Sequence, residues 1–144
     1  MSPRSRGFTL LELLVVISII ALATAGVGIA MRDSGQTLVE REAARLAALL
    51  ESARAQSRGG GIPVVWRANP RGFQFEGLPP SAQAALPTQW LDAGTAVRGP
   101  GVLVLGPEPL IGRQQALITH QAFPDRTLSV ATDGVRPFTV ETVQ

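Results

Sequence analysis

Residues 8–31 read FTLLELLVVISIIALATAGVGIAM, a run in which Glu12 is the sole charged side chain and Thr9, Ser18 and Thr24 are the other clearly polar ones. As a helix rising about 1.5 Å per residue it would extend roughly 36 Å, enough to cross a bilayer. Arg4 and Arg6 precede it, and the positive-inside tendency keeps that flank in the cytoplasm while the chain after the run is exported. Arg32, at the other end, opposes this orientation weakly.

Three readings fit such a segment: a secretory signal peptide, a plain membrane anchor, and a precursor whose leader is removed before the apolar run. A signal peptide is cut after its apolar region, and Ala21-Leu22-Ala23 weakly imitates the small-residue site required. Glu12 separates the readings. An acid at the centre of a membrane helix costs roughly 2.5 to 3.5 kcal/mol, and less toward the interface, so its presence implies a compensating partner. A cut between Gly7 and Phe8 would supply one, because it creates an α-amine one helical turn from Glu12. That amine is better placed to meet the carboxylate of a neighbouring subunit, and the pair would fix the stagger between subunits.

Arg6-Gly7-Phe8-Thr9-Leu10-Leu11-Glu12-Leu13, followed by a long apolar helix, closely resembles the precursor signature of type IV pilins and type II secretion pseudopilins. The resemblance implies that a prepilin peptidase recognises Gly7, cuts before Phe8 and methylates the new amine of Phe8. It also implies that Glu12 holds the acidic position used in assembly. The sequence departs from many pilin-like helices in having no proline between Phe8 and Gly59; Gly26 and Gly28 are partial substitutes as points of bending.

Composition is consistent with this division of the chain. The 144 residues suffice for one small domain beyond a membrane segment. The formal charge is +2, and the calculated pI near 10.9 arises because all 13 basic residues are Arg, with no Lys, Tyr or Cys. Loss of Arg4 and Arg6 with the leader leaves 11 Arg against 11 acids, whereas a mature nucleic-acid binder usually keeps a basic excess. Without cysteine there is neither a disulfide framework nor a thiolate metal site.

Beyond Arg32, Val39, Ala43, Leu46, Leu50 and Ala53 recur at spacings of four and three, which predicts an amphipathic helix whose stripe packs on a sheet. Glu40, Arg41, Arg45, Glu51 and Arg54 are expected largely on its other faces. Asp33-Ser34-Gly35 predicts a flexible or kinked junction within one long helix, and Gly59-Gly60-Gly61 ends it. Residues 63–67 and 73–76 read as a hairpin, and 78–101 as an extended loop with one short helical turn, anchored by Trp90-Leu91. Val102 to Leu105 and the stretch around Leu117-Ile118 read as strands. Residues 127–132 and 135–143 flank Asp133-Gly134, which predicts a tight terminal hairpin.

The expected fold is therefore α+β and pilin-like, with a long N-terminal helix, membrane-spanning in its first half, packed on a mainly antiparallel β-sheet. Its expected parts are a cleaved leader at 1–7, a transmembrane and assembly helix at 8–31, and a periplasmic globular domain at 32–144. Two further segments, Leu103 to Pro109 and Ala131 to Phe138, are similar to the minor pseudopilin H family of type II secretion. That resemblance implies a structural subunit near the tip of a pseudopilus, anchored in the inner membrane before assembly. Its partners would be other minor pseudopilins, the major pseudopilin, the prepilin peptidase, inner-membrane lipid and secreted exoproteins. The alternative is a minor type IV pilin acting in pilus assembly or DNA uptake, with Arg67, Arg71, Arg98, Arg113, Arg126 and Arg136 on phosphates; their scatter and the balancing acids disfavour nucleic acid.

No catalytic residue, metal site or cofactor is expected. His120 is the single histidine and has no nucleophile motif around it, so a structural or solvent role is expected. Glu108, Asp125, Asp133 and Glu141 match no calcium-loop spacing, and Gly59-Gly60-Gly61 follows a helix instead of opening one, unlike a phosphate cradle. Trp66, Phe73, Phe75 and Trp90 are expected in the core, not on a stacking platform.

Overall fold

A computed structural model describes residues 8–143, apart from the side chains of 28–35. The leader, with Arg4, Arg6 and the cut after Gly7, lies outside the described residues. The chain divides into two units, Met1–Ser34 and Gly35–Gln144. Helix α1, Leu10–Gly60, is assigned without a break through 33–35 and contributes to both.

In the first unit every side chain from Phe8 to Val27 is exposed. Among the described residues, Leu10–Val27 is the one stretch long and apolar enough to cross a membrane. Its two hydroxyl side chains are adapted to apolar surroundings: Ser18 Oγ donates to the Leu14 carbonyl at 2.8 Å, and Thr24 Oγ1 to those of Ile20 and Ala21 at 2.9 Å. Such back-bonding leaves neither hydroxyl without a partner where water is absent.

In the second unit the predicted stripe is the spine of the core. Val39, Ala43, Leu46, Leu50 and Ala53 are all buried. Burying Leu46 or Leu50 contributes about 1.5 to 3 kcal/mol each. The helix ends where the glycine run predicts. Gly61 takes φ +61°, the Ile62 N–H donates to the Ser57 carbonyl at 3.1 Å, and Ser57 Oγ donates to the Ile62 carbonyl at 2.6 Å. Left-handed glycine with this backward bond is the Schellman arrangement.

Strands β1 (Val64–Asn69) and β2 (Gly72–Glu76) form the expected hairpin, its turn fixed by the Arg71 N–H donating to Asn69 Oδ1 at 2.9 Å. A short helix α2 (Pro80–Ala85) follows. Next come β3 (Thr95–Arg98), β4 (Val102–Gly106), β5 (Gln114–His120), β6 (Phe123–Thr132) and β7 (Thr139–Thr142). They form two sheets ordered β2-β1-β4 and β3-β5-β6-β7, with every strand pair antiparallel. Trp66, Phe73, Phe75, Leu103 and Leu105 of the first sheet, and Ala116, Ile118 and Val130 of the second, close the core with the α1 stripe. The fold is α+β and pilin-like, a long N-terminal helix packed on antiparallel sheets.

A side chain joins the sheets where no strand pair does. The Val104 N–H donates to Gln114 Oε1 at 2.9 Å, and Gln114 Nε2 donates to the Val104 carbonyl at 2.6 Å. One amide thus occupies both main-chain groups of Val104 on the outer edge of β4.

Three expectations are corrected. Residues 78–101 are not loop alone, because Thr95–Arg98 pairs with β5 as an edge strand. The terminal hairpin exists, but Thr132 and Thr139 bound a six-residue connection, so Asp133-Gly134 does not form a tight two-residue turn. Gly134 instead takes φ +96° within that connection, and the Ile111 carbonyl lies where a Cβ there would project. Finally, Arg54 does not lie on an outer face: it is 1% exposed.

Candidate assembly site

At the amino-terminal end of the described chain, Phe8 is 80% exposed and α1 begins two residues later. The Glu12 N–H donates to Thr9 Oγ1 at 3.2 Å, and the Leu13 N–H donates to the Thr9 carbonyl at 3.2 Å. Glu12 therefore stands in the first helical turn, and among the described residues nothing donates to its carboxylate. Around it Leu10, Leu11, Leu13 and Leu14 are all more than half exposed. An acid amid such an uncovered apolar surface makes this end of α1 a candidate for contact with lipid or another chain, since soluble monomers seldom expose large apolar patches. Gly7 lies outside the described residues, so the structure holds two of the three predicted processing and assembly residues, Phe8 and Glu12.

The domain is held to its half of α1 by two acid–base pairs that sequence reasoning did not place. Glu42, 2% exposed, accepts from Arg45 Nη1 at 2.9 Å and from the Leu91 N–H at 2.7 Å, while Arg45 Nη1 also donates to the Gln89 carbonyl at 3.2 Å. Glu51 accepts the Phe138 N–H at 3.0 Å, and Arg54 donates to the carbonyls of Gly134 at 2.9 Å and Arg136 at 3.2 Å. Nine positions separate the pairs. At 3.6 residues per turn that is about two and a half turns, so they emerge on opposite flanks of the buried stripe. One pair latches the segment after α2, and the other the β6–β7 connection. Glu-x-x-Arg occurs in the sequence at both places, but a surface pair has the same spacing.

The β6–β7 connection is also braced from within. Asp133 accepts from the backbone N–H groups of Arg136 at 2.8 Å and Val135 at 2.9 Å, and from Arg136 Nε at 2.7 Å. The Arg136 N–H and guanidinium, with the Val135 N–H, hold the Asp133 carboxyl well below the usual carboxylate range. A lowered folded value means that this support is fully present above the unfolded value of about 3.9 and is lost only as pH falls through the folded one. Asp133 is therefore expected to stay ionised at pH 4, read by NMR titration of its carboxyl carbon. A midpoint near 3.9 would show that the turn does not hold it.

His120 is buried, with Nε2 2.8 Å from Asp92 Oδ1, and its Nδ1 accepts the Ala122 N–H at 3.1 Å. The ring thus ties the 92–94 segment to the β5–β6 turn, and no serine hydroxyl among the described residues bonds it. Of the four acids considered for a cation, Asp133 is spent on its own turn, and the described residues contain no cluster of three metal-ligating side chains. Trp66, Phe73, Phe75 and Trp90 are buried against one another, with the Phe73 and Trp90 centroids 4.6 Å apart. Trp90 is the expected anchor, whereas its neighbour Leu91 is 60% exposed and is held by its backbone instead. Among the six arginines considered for phosphate contacts, Arg67 pairs with Glu76 and Arg136 with Asp133, while Arg98 and Arg126 donate to Pro124 and Gln36.

Residues 2–28 match the Prokaryotic N-terminal methylation motif, the prepilin-type signal of pilin-like proteins. No curated protein and no solved structure matches the chain.

Proposed function

We propose that the chain is a minor pseudopilin of type II secretion, a structural subunit near the pseudopilus tip that supports export of folded proteins across the outer membrane. The observation that carries this reading is the coincidence of the methylation motif at 2–28 with an uncovered apolar helix whose acid, Glu12, stands in the first turn. A prepilin peptidase removes 1–7 and methylates Phe8. Residues 8–31 hold the subunit in the inner membrane with its amino terminus cytoplasmic, and 32–144 form the periplasmic domain. On assembly the Phe8 amine of one subunit meets the Glu12 carboxylate of another, which relieves the cost of an acid in hydrocarbon. Other minor pseudopilins and the major pseudopilin are the partners, and the subunit works by association, without chemistry of its own. The two carboxyl-terminal segments similar to minor pseudopilin H favour secretion, as does the balance of 11 Arg against 11 acids in the mature chain.

Coexpression with a prepilin peptidase is expected to give a mature mass lacking Met1 to Gly7 and carrying one added methyl group. An unprocessed chain, or one cut after Ala23, would refute the reading. In cells lacking the subunit, exoprotein release is expected to fail while DNA uptake persists; the opposite result would assign it to a type IV pilus.

A further inference from the structure

We propose that Thr9 is a positioning residue, the N-cap that holds Glu12 and the amine of Phe8 at a fixed spacing; the assembly role given to that spacing rests on the reading above. Helix α1 begins at Leu10, and the Thr9 hydroxyl accepts the N–H of Glu12, the third helical residue, at 3.2 Å. The Leu13 N–H, bonded to the Thr9 carbonyl at 3.2 Å, completes the first turn around the same residue. Threonine followed three positions later by glutamate, with apolar Phe8 before it and Leu13 at the fourth helical position, is the residue order of a capping box with its hydrophobic staple.

Among the three hydroxyls of the apolar run, Thr9 plays the opposite part to the other two. Ser18 and Thr24 donate to carbonyls within a helix that is already complete, so their loss removes nothing the backbone needs. Thr9 accepts from an N–H that has no carbonyl available. The first turn of a helix leaves such donors unpaired, and near hydrocarbon there is little water to satisfy them.

The cap also lies on the retained side of the proposed cut, one residue inside it. Processing would therefore expose the Phe8 amine without disturbing the start of the helix. A frayed first turn would let the amine and the Glu12 carboxylate adopt many separations, and pairing across subunits would then carry the cost of ordering that turn. Thr9 sets the turn beforehand.

The test uses the full mature chain in detergent micelles and compares Thr9→Val, which keeps the branched shape without the acceptor, with Thr9→Ser, which keeps the acceptor. Amide hydrogen exchange at Glu12 is expected to be roughly fivefold faster in Thr9→Val, the usual scale for a lost cap. In Thr9→Ser it should stay within about twofold of the parent, with exchange at Ile17 to Ile20 equal in all three. Incorporation into filaments is expected to fall for Thr9→Val and to persist for Thr9→Ser. Unchanged Glu12 exchange in Thr9→Val overturns the cap, and full assembly of Thr9→Val overturns the positioning role. The exchange result is independent of the pseudopilin reading, which fails separately if coexpression with a prepilin peptidase leaves the chain unprocessed.

Discussion

Replacing Glu12 with Leu is expected, on the function proposed above, to lower incorporation into pseudopili at least about tenfold, the consequence of losing the charge pair that this function assigns to a desolvated interface. Insertion and the fold of residues 35–144 should be unaffected. Leucine removes an acid that costs roughly 2.5 to 3.5 kcal/mol at mid-membrane, so the variant should insert at least as readily as the parent. A shortfall in filaments therefore cannot be attributed to poor insertion. Membrane fractionation with quantitation of sheared filaments separates the two effects, and wild-type levels of assembly would remove Glu12 from the mechanism.

Replacing Arg54 with Ala is expected to destabilise the domain by about 3 kcal/mol, a large share of the 5 to 15 kcal/mol typical of such domains. The loss has two sources. The carbonyls of Gly134 and Arg136 lose the charged one of their two donors, keeping the Ile111 N–H at 3.3 Å and Thr132 Oγ1 at 2.7 Å, and Glu51 loses the cation beside it at 3.5 Å. Arg67→Ala is the control. Arg67 also pairs with a glutamate, at 3.1 Å, but both side chains are more than 40% exposed, so its loss should cost no more than about 1 kcal/mol. Denaturant unfolding followed by fluorescence of the buried Trp66 and Trp90 reads both variants. Equal shifts for the two would show that burial of Arg54 confers nothing special.

Sequence periodicity revealed those parts of the fold that depend on local spacing. The four-and-three recurrence from Val39 to Ala53 identified the buried face of α1, and the glycines at 59–61 marked its end, because both follow from helix geometry alone. Arg54 was misassigned for the opposite reason. Its i,i+3 glutamate gives it the look of a solvated pair, and only the return of the β6–β7 connection over the helix buries it. Strand β3 escaped detection because four residues amid prolines and glycines carry no period; pairing with β5 makes it a strand. The Asp133-Gly134 pair carried a true signal, positive φ at Gly134, but it falls within a longer connection where the Ile111 carbonyl also excludes a Cβ, and not in a two-residue reversal. At the amino terminus, Thr9 with Glu12 three positions on carries the local spacing of a cap, which the Glu12 N–H bond to the Thr9 hydroxyl realises.

The amide of Gln114 on Val104 has a bearing on how the domain meets other chains. An unpaired strand margin is an invitation to zipper, and β4 would offer one facing away from β1. One glutamine stoppers it, saturating the donor and acceptor that an incoming backbone would need. An approaching strand is thereby denied a foothold for sheet growth at that point, so a neighbour arriving along β4 would have to be met by side chains, where selectivity can be written residue by residue.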